Sequence, residues 1–277
     1  MAELTDTGTP VGQDLRVAVY TCTYASYDIL LSPHRVTPNC DFIAFVDEPQ
    51  PTAKRWNSRP LPAQIKDLPQ NEANRFCKLF PMRILPEYDI SIYLDGNIFI
   101  GADLTPLIKE FVASGADLAL FPGQANRTVE QEIELTLERG AVREDRRAAA
   151  ARQLEDLRAK GEADLPITMN GVLFRKHASP HLEPLMQAWW EDINKYAMRD
   201  QYGLPGLLQK SPVKVHHWDW QYFYEENPYF SVRPHRAPGM GWWAKQIHAS
   251  QARRTYALAD RILWSLHRRV TRLFKSR

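Results

Sequence analysis

The sequence predicts an α/β protein, a mostly parallel sheet flanked by helices, and three observations carry the prediction. The runs RVAVYTCT at 16–23, FIAFV at 42–46 and ISIYL at 90–94 show little polar interruption, as strands buried on both faces do. Each run ends abruptly in polar residues, at the edge where open α/β sheets collect ligands. Between the second and third runs, NEANRFCKLFPMRIL predicts a helix through Lys78 that stops or kinks near Pro81. With 277 residues and 44% hydrophobic content there is ample material for a core, in one large domain or two small ones.

Taken in order, residues 1–14 are small and polar with Gly and Pro, and read as a disordered leader without a signal-peptide pattern. The first strand leads into a polar and aromatic loop, Tyr24, Ser26, Tyr27 and Asp28; tyrosines merely packed beneath a loop are the alternative. The second strand ends in Asp47 and Glu48. On the following helix Arg75 and Lys78 are three residues apart and share a face. Such a pair suits a diphosphate, Arg through a fork and Lys as a point charge, with solvated surface charge as the alternative.

The stretch YDISIYLDGNIFIG at 88–101 is the most informative. Asp95 emerges at the carboxyl edge of its strand, Gly96 lets the backbone bend, and Asn97 supplies a second oxygen. Two hard oxygens flanking one glycine suit a divalent cation also held by phosphates, although Asp-Gly-Asn is equally readable as a plain turn. Asp117 to Phe121 predicts a further strand. Residues 128–163 are dense in Glu, Arg, Ala and Leu, which predicts an exposed helical insertion with no chemistry assigned to it; a segment that covers the cleft or carries a dimer contact is the alternative. LPITMNGVLFR at 165–175 returns to strand character, with Asn170 and Gly171 before its apolar run. A helix is expected from Leu182 to Gln201, ending in Arg199, Asp200 and Gln201; this carboxylate and amide either hold a ligand or only bond the helix end. His216, His217, Trp218, Asp219, Trp220 and Tyr222 form an aromatic patch, and His235, Trp242, Trp243, Lys245 and His248 a second.

Cys22, Cys40 and Cys77 are an odd number without metal-like spacing, so reduced thiols in a cytosolic setting are expected. No run reaches the eighteen or so apolar residues that cross a bilayer.

The text RFCKLFPMRILPEYDISIYLDGNIFI resembles the metal-binding segment of GT-A glycosyltransferases. Family eight retaining enzymes carry a similar segment, with an aspartate in place of Asn97 and an arginine near the position of Lys78. The order AVYTCTYASYD, FIAFVDE, NRFCKLFP, YLDGNI and WWEDINKYAMRDQ is similar to an uncharacterised-domain family of bacterial and plant glycosyltransferase-like proteins that includes mucilage and pectin synthesis factors, over roughly residues 16–235. The resemblance implies a GT-A-like, Rossmann-like domain over 15–250 and a glycosyltransferase that uses a nucleotide-sugar donor, UDP-sugar favoured, and a glycan or lipid-linked glycan acceptor. It implies Mn²⁺ or Mg²⁺ on Asp95 and Asn97, with His235, or failing it His248, as third ligand. Thr21, Tyr24, Tyr27, Arg75, Lys78, Asp95, Asn170 and Gly171 would bind the donor, and Asp200 and Gln201 would hold or face its sugar. Retention is preferred by analogy; an inverting enzyme needs a carboxylate base, for which Asp219 is the candidate. A catalytically silent sugar-binding module and a nucleotidyltransferase are the alternatives. The loop TCTYASYD is neither glycine-rich nor basic, which counts against the latter, and no nucleic-acid partner is expected.

Toward the end, Tyr256, Ile262, Leu263, Leu266, Val270, Leu273 and Phe274 recur mostly at spacings of three and four, the stripe of an amphipathic helix. Residues 251–277 hold eight Lys or Arg against Asp260, a net of +7 in a chain whose total is +2, so the remainder carries −5. A basic amphipathic helix with Trp264 suits the inner face of a cell membrane, at roughly 1 kcal/mol per basic residue near an anionic surface. Packing of the stripe on the domain or on a second copy is the alternative.

Overall fold

The structure is a computed structural model; it describes residues 15–23, 28, 30–48, 53–196, 199–222 and 227–232, and toward the end 243, 247, 250, 258–259, 261–263 and 265–267. Nine strands are described: β1 (Val17–Thr23), β2 (Cys40–Val46), β3 (Asn57–Pro60), β4 (Ile90–Leu94), β5 (Ile98–Ile100), β6 (Leu118–Pro122), β7 (Thr168–Lys176), β8 (Val215–His217) and β9 (Phe230–Val232). Seven of them form one sheet in the order β3-β2-β1-β4-β7-β6-β8, and β5 pairs with β9 in a small antiparallel ribbon. Within the large sheet β3, β2, β1 and β4 run parallel, β7 is antiparallel to both of its neighbours, and β8 is parallel to β6. The protein is thus an α/β fold on a mixed, mostly parallel sheet.

The apolar runs are strands because both faces are covered. On one face Val17, Val19, Phe42, Ile90 and Ile92 pack with Leu107 and Phe111 of a helix, α3 (Thr105–Ser114). On the other, Ala18, Tyr20, Ile43 and Tyr93 pack beneath α1 (Gln70–Leu79) and α6 (Leu182–Lys195), which contributes Trp189 and Ile193. Pro81 ends α1 and opens the short α2 (Pro81–Ile84), as a proline that cannot continue the donor ladder should. The segment after β6 folds into α4 (Val129–Glu138), opened by a Thr128/Gln131 capping box, and α5 (Arg147–Ala159). These two helices close a third core around Ile133, Leu154 and Tyr202, so the segment is packed on one side rather than solvated all round. A short helix, α7 (Leu204–Gln209), precedes β8.

The chain builds β1, β2 and β3 outward, then returns to lay β4 on the opposite side of β1. That reversal is a topological switch point, and it opens a crevice at the carboxyl ends of β1 and β4. The helix expected over 182–201 stops earlier, at Lys195, because Tyr196 takes φ −118° and ψ −124°. Arg199, Asp200 and Gln201 therefore lie in a turn beyond the helix. All three cysteines are free thiols, and Cys22 and Cys77 are buried.

One buried charge braces this layout. Arg175 of β7 is wholly buried, and its guanidinium donates to the carbonyls of Lys78 and Leu79 and to the Tyr20 hydroxyl. Burial pulls its basicity below the ordinary arginine value, yet the cation sits where the negative end of α1 favours it. Tyr20 in turn donates to the Cys77 carbonyl at 2.9 Å, so the end of α1 is tied to β1 and β7 together. Replacing Arg175 by leucine removes the guanidinium from the Leu79 carbonyl and from the Lys78 carbonyl, which keeps the Tyr20 hydroxyl at 3.3 Å, and is expected to cost about 1–3 kcal/mol. Urea unfolding checks this as a lowered midpoint at unchanged slope; an unchanged midpoint would mean that the arginine does not brace the helix.

Candidate active site

A cleft of about 690 Å³ opens at the switch point, within the range of a small-molecule site. Its walls come from the ends of β1 and β4, from α1, from β7, from the turn after α6 and from the segment between β6 and β7. At its base Lys78, 1% exposed, donates to Asp200 Oδ2 at 2.5 Å and to Asp95 Oδ1 at 3.3 Å. Its ammonium also stands 5.3 Å from the centre of the Tyr93 ring. Three residues singled out from sequence positions 78, 95 and 200 thus meet at one point.

Each member is held in place by the fold. Asp95 follows β4, and its amide donates to the Gly171 carbonyl at 2.8 Å. The Asp200 carbonyl accepts from Trp189 Nε1 at 3.0 Å and from Asn170 Nδ2 at 2.9 Å. Thr168 donates to Asn170 Oδ1 and orients the amide. Asn170 is therefore a positioning residue for Asp200. A Cβ on Gly171 would stand 2.7 Å from the Tyr222 hydroxyl and 3.1 Å from Asp95 Oδ2, so a glycine is required for the carboxylate to lie where it does. Burial alone would raise the Asp200 carboxyl, but the charges of Lys78 and Arg75 outweigh it and hold the group well below the usual carboxylate range. Asp200 is an anion throughout the physiological range.

Arg75, Gln201, Asn97 and Gly171 line the cleft. Thr21 does not: it is buried within β1, and Thr23, two residues on, reaches the cleft. Asp219 is exposed and stands outside the cleft, because Trp218 beside it turns inward to stack on Phe121 at 4.3 Å. Tyr24, Tyr27, His235 and His248 lie outside the described residues. Sequence reasoning missed Asn74, Gln124 and Arg199, and it missed Glu132 and Arg143 from the segment expected to have no chemistry. Asn74 was legible as the position four before Lys78 on one helix face; Arg143 was not, since only tertiary packing folds its segment over the cleft.

For a divalent ion, the oxygen-bearing Asp95 and Asn97 line the cleft on either side of Gly96. A Cβ on that glycine would lie 3.2 Å from Asp28 Oδ2, which brings a second carboxylate to the same corner. Among the described residues no three His, Cys, Asp or Glu side chains form a cage. The donor set fits an ion of the Mg²⁺ type, which takes one or two protein oxygens and completes its shell with substrate phosphates.

No family model and no curated protein matches the chain. Among similar solved structures are the bifunctional glycosyltransferase WbbM in its apo form, at 13% identity and TM-score 0.47, covering 76% of this chain and 40% of that one. Mouse xyloside xylosyltransferase 1 in apo form matches at 12% identity and TM-score 0.47, over 74% of this chain and 85% of that one. Core-mannan synthase A from Aspergillus fumigatus, in a Mn/GDP form, matches at 10% identity and TM-score 0.47, over 76% and 74%. At these identities and scores none of them assigns a reaction, donor or metal to this chain.

Lys78→Met strands a buried Asp200 carboxylate and is expected to lower stability by about 3 kcal/mol at neutral pH. The sign with pH follows from the depressed Asp200 carboxyl. Its stabilising contribution is complete above the unfolded-state value near 4 and fades as pH falls below it. Wild type and variant should therefore converge in acid, as followed by chemical unfolding at several pH values; a gap that widens in acid would contradict the assignment.

Proposed function

We propose that this chain is a GT-A-like glycosyltransferase, moving a sugar from a nucleotide-sugar donor, UDP-sugar favoured, to a glycan or lipid-linked glycan acceptor. The observation that carries the reading is the Lys78 ammonium bridging Asp95 and Asp200 at the floor of a switch-point cleft. A nucleotide placed there runs along the ends of β1 and β4, with its diphosphate toward Arg75 and Arg199 on the cleft wall. When bound on Asp95 and Asn97, Mn²⁺ or Mg²⁺ would neutralise charge on the diphosphate.

Asp200 faces the sugar as a fixed anion whose pairing with Lys78 removes its basicity. It supports the positive charge that develops at the anomeric carbon and does not take up the acceptor proton. The other carboxylate proposed as a base, Asp219, is outside the cleft. Both observations favour retention by a front-face displacement. The acceptor oxygen bonds to the anomeric carbon as the carbon–oxygen bond to the diphosphate breaks, and the acceptor proton passes to the departing phosphate oxygen. Gln201 is placed to hold sugar hydroxyls.

A thermal-shift screen against nucleotides and nucleotide sugars, with and without Mn²⁺, should show stabilisation by one donor that grows with its concentration. No shift with any nucleotide would sink the reading. Asp95→Ala should weaken Mn²⁺-dependent nucleotide binding in titration calorimetry, about tenfold or more, while the metal-free affinity stays near wild type. Asp200→Asn should cut turnover on the order of 10²–10³-fold with nucleotide affinity nearly unchanged. Equal losses in both would place Asp200 in the phosphate site instead.

A further inference from the structure

The described part of the C-terminal segment presents an apolar face that the body does not cover. Residues 258, 259, 261–263 and 265–267 are helical. Leu258, Ile262 and Leu266 are spaced by four and Leu263 lies beside them, all within about 140° of one helix face at roughly 100° per residue. They are 68%, 53%, 53% and 37% exposed, whereas Leu185 on α6 and Leu204 on α7 are 4% and 0% exposed. A row of large apolar side chains left in water marks a surface that a partner covers.

Charge decides between partners. Residues 251–277 carry +7 while the rest of the chain carries −5. A two-fold contact of this apolar row with its own copy sets one +7 segment against another, with like charges facing across the interface. An anionic lipid surface satisfies both features at once, since the apolar face enters the acyl boundary and basic side chains meet the headgroups. Arg261, exposed beside Ile262, lies at the edge of the face, and Trp243, 73% exposed, is a further side chain suited to a lipid interface. We propose that this segment docks the protein onto an anionic lipid surface, a placement that does not depend on the sugar-transfer reading.

Co-sedimentation of the full-length protein with vesicles tests it, using phosphatidylcholine alone and phosphatidylcholine mixed with phosphatidylserine. Capture should be at least about tenfold greater on the anionic vesicles at low salt and should fall as salt rises to about 0.5 M. The variant Ile262→Glu/Leu266→Glu should lose that capture and keep the wild-type unfolding temperature, because both side chains are exposed. Leu258→Glu, at the most exposed position of the row, reads the same face should the double variant fail to fold. Indifference to anionic vesicles at low salt, undiminished capture by the variants, or a wild-type dimer that the variants dissociate without any vesicle binding would each overturn the proposal.

Discussion

An ammonium buried as deeply as that of Lys78, 1% exposed, has lost nearly all its hydration and must recover that free energy from fixed partners. It does so from two carboxylates that the chain separates by 105 positions, Asp95 after β4 and Asp200 in the turn after α6. Neither partner can move far without stranding a charge at low dielectric. The ion triad therefore ties together the three elements that form the cleft: the end of α1, the edge of the parallel strands, and the turn beyond α6.

The supports of the triad are themselves buried polar contacts. Arg175 and Tyr20 take up the carbonyls at the end of α1, which fixes the backbone from which Lys78 projects. Trp189 and Asn170 grip the Asp200 carbonyl from two sides, one reaching from α6 and the other from β7. Such networks rigidify a site and make each member costly to remove, and here Arg175 serves the network through its two terminal nitrogens while its buried Nε makes no hydrogen bond. The cleft is consequently a preorganised electrostatic environment, in which Asp200 stays ionised against Lys78 before any substrate arrives.

Around that fixed floor one further wall is the segment between β6 and β7. Its helices α4 and α5 close their own small core and carry Glu132 to the cleft, paired there with Arg127 at 2.8 Å. Sequence composition read this segment as solvated, because its acids and bases alternate along exposed faces. Composition is blind to which face meets another element, and here one face does.

What the sequence determined by itself is whatever depends on neighbours in the chain. The double-sided burial of β1, β2 and β4 was legible from unbroken apolar runs, the stop at Pro81 from the missing amide donor, and the exit of Asp95 from the sheet edge through its glycine. Arg75 and Lys78 were assigned to one helix face by a spacing of three. The tertiary structure alone decided which distant charges meet. Lys78 was read as a point charge open to phosphates, yet it is satisfied by Asp95 and Asp200, a pairing that no local spacing encodes. Thr21 and Thr23 are indistinguishable in the strand pattern, and only the depth of the cleft separates them. Asp219 was expelled from the site by Trp218, whose stacking on Phe121 is a contact across 97 residues. Local propensity sets elements and their faces, whereas long-range burial of charge and of aromatic surface sets which faces come together.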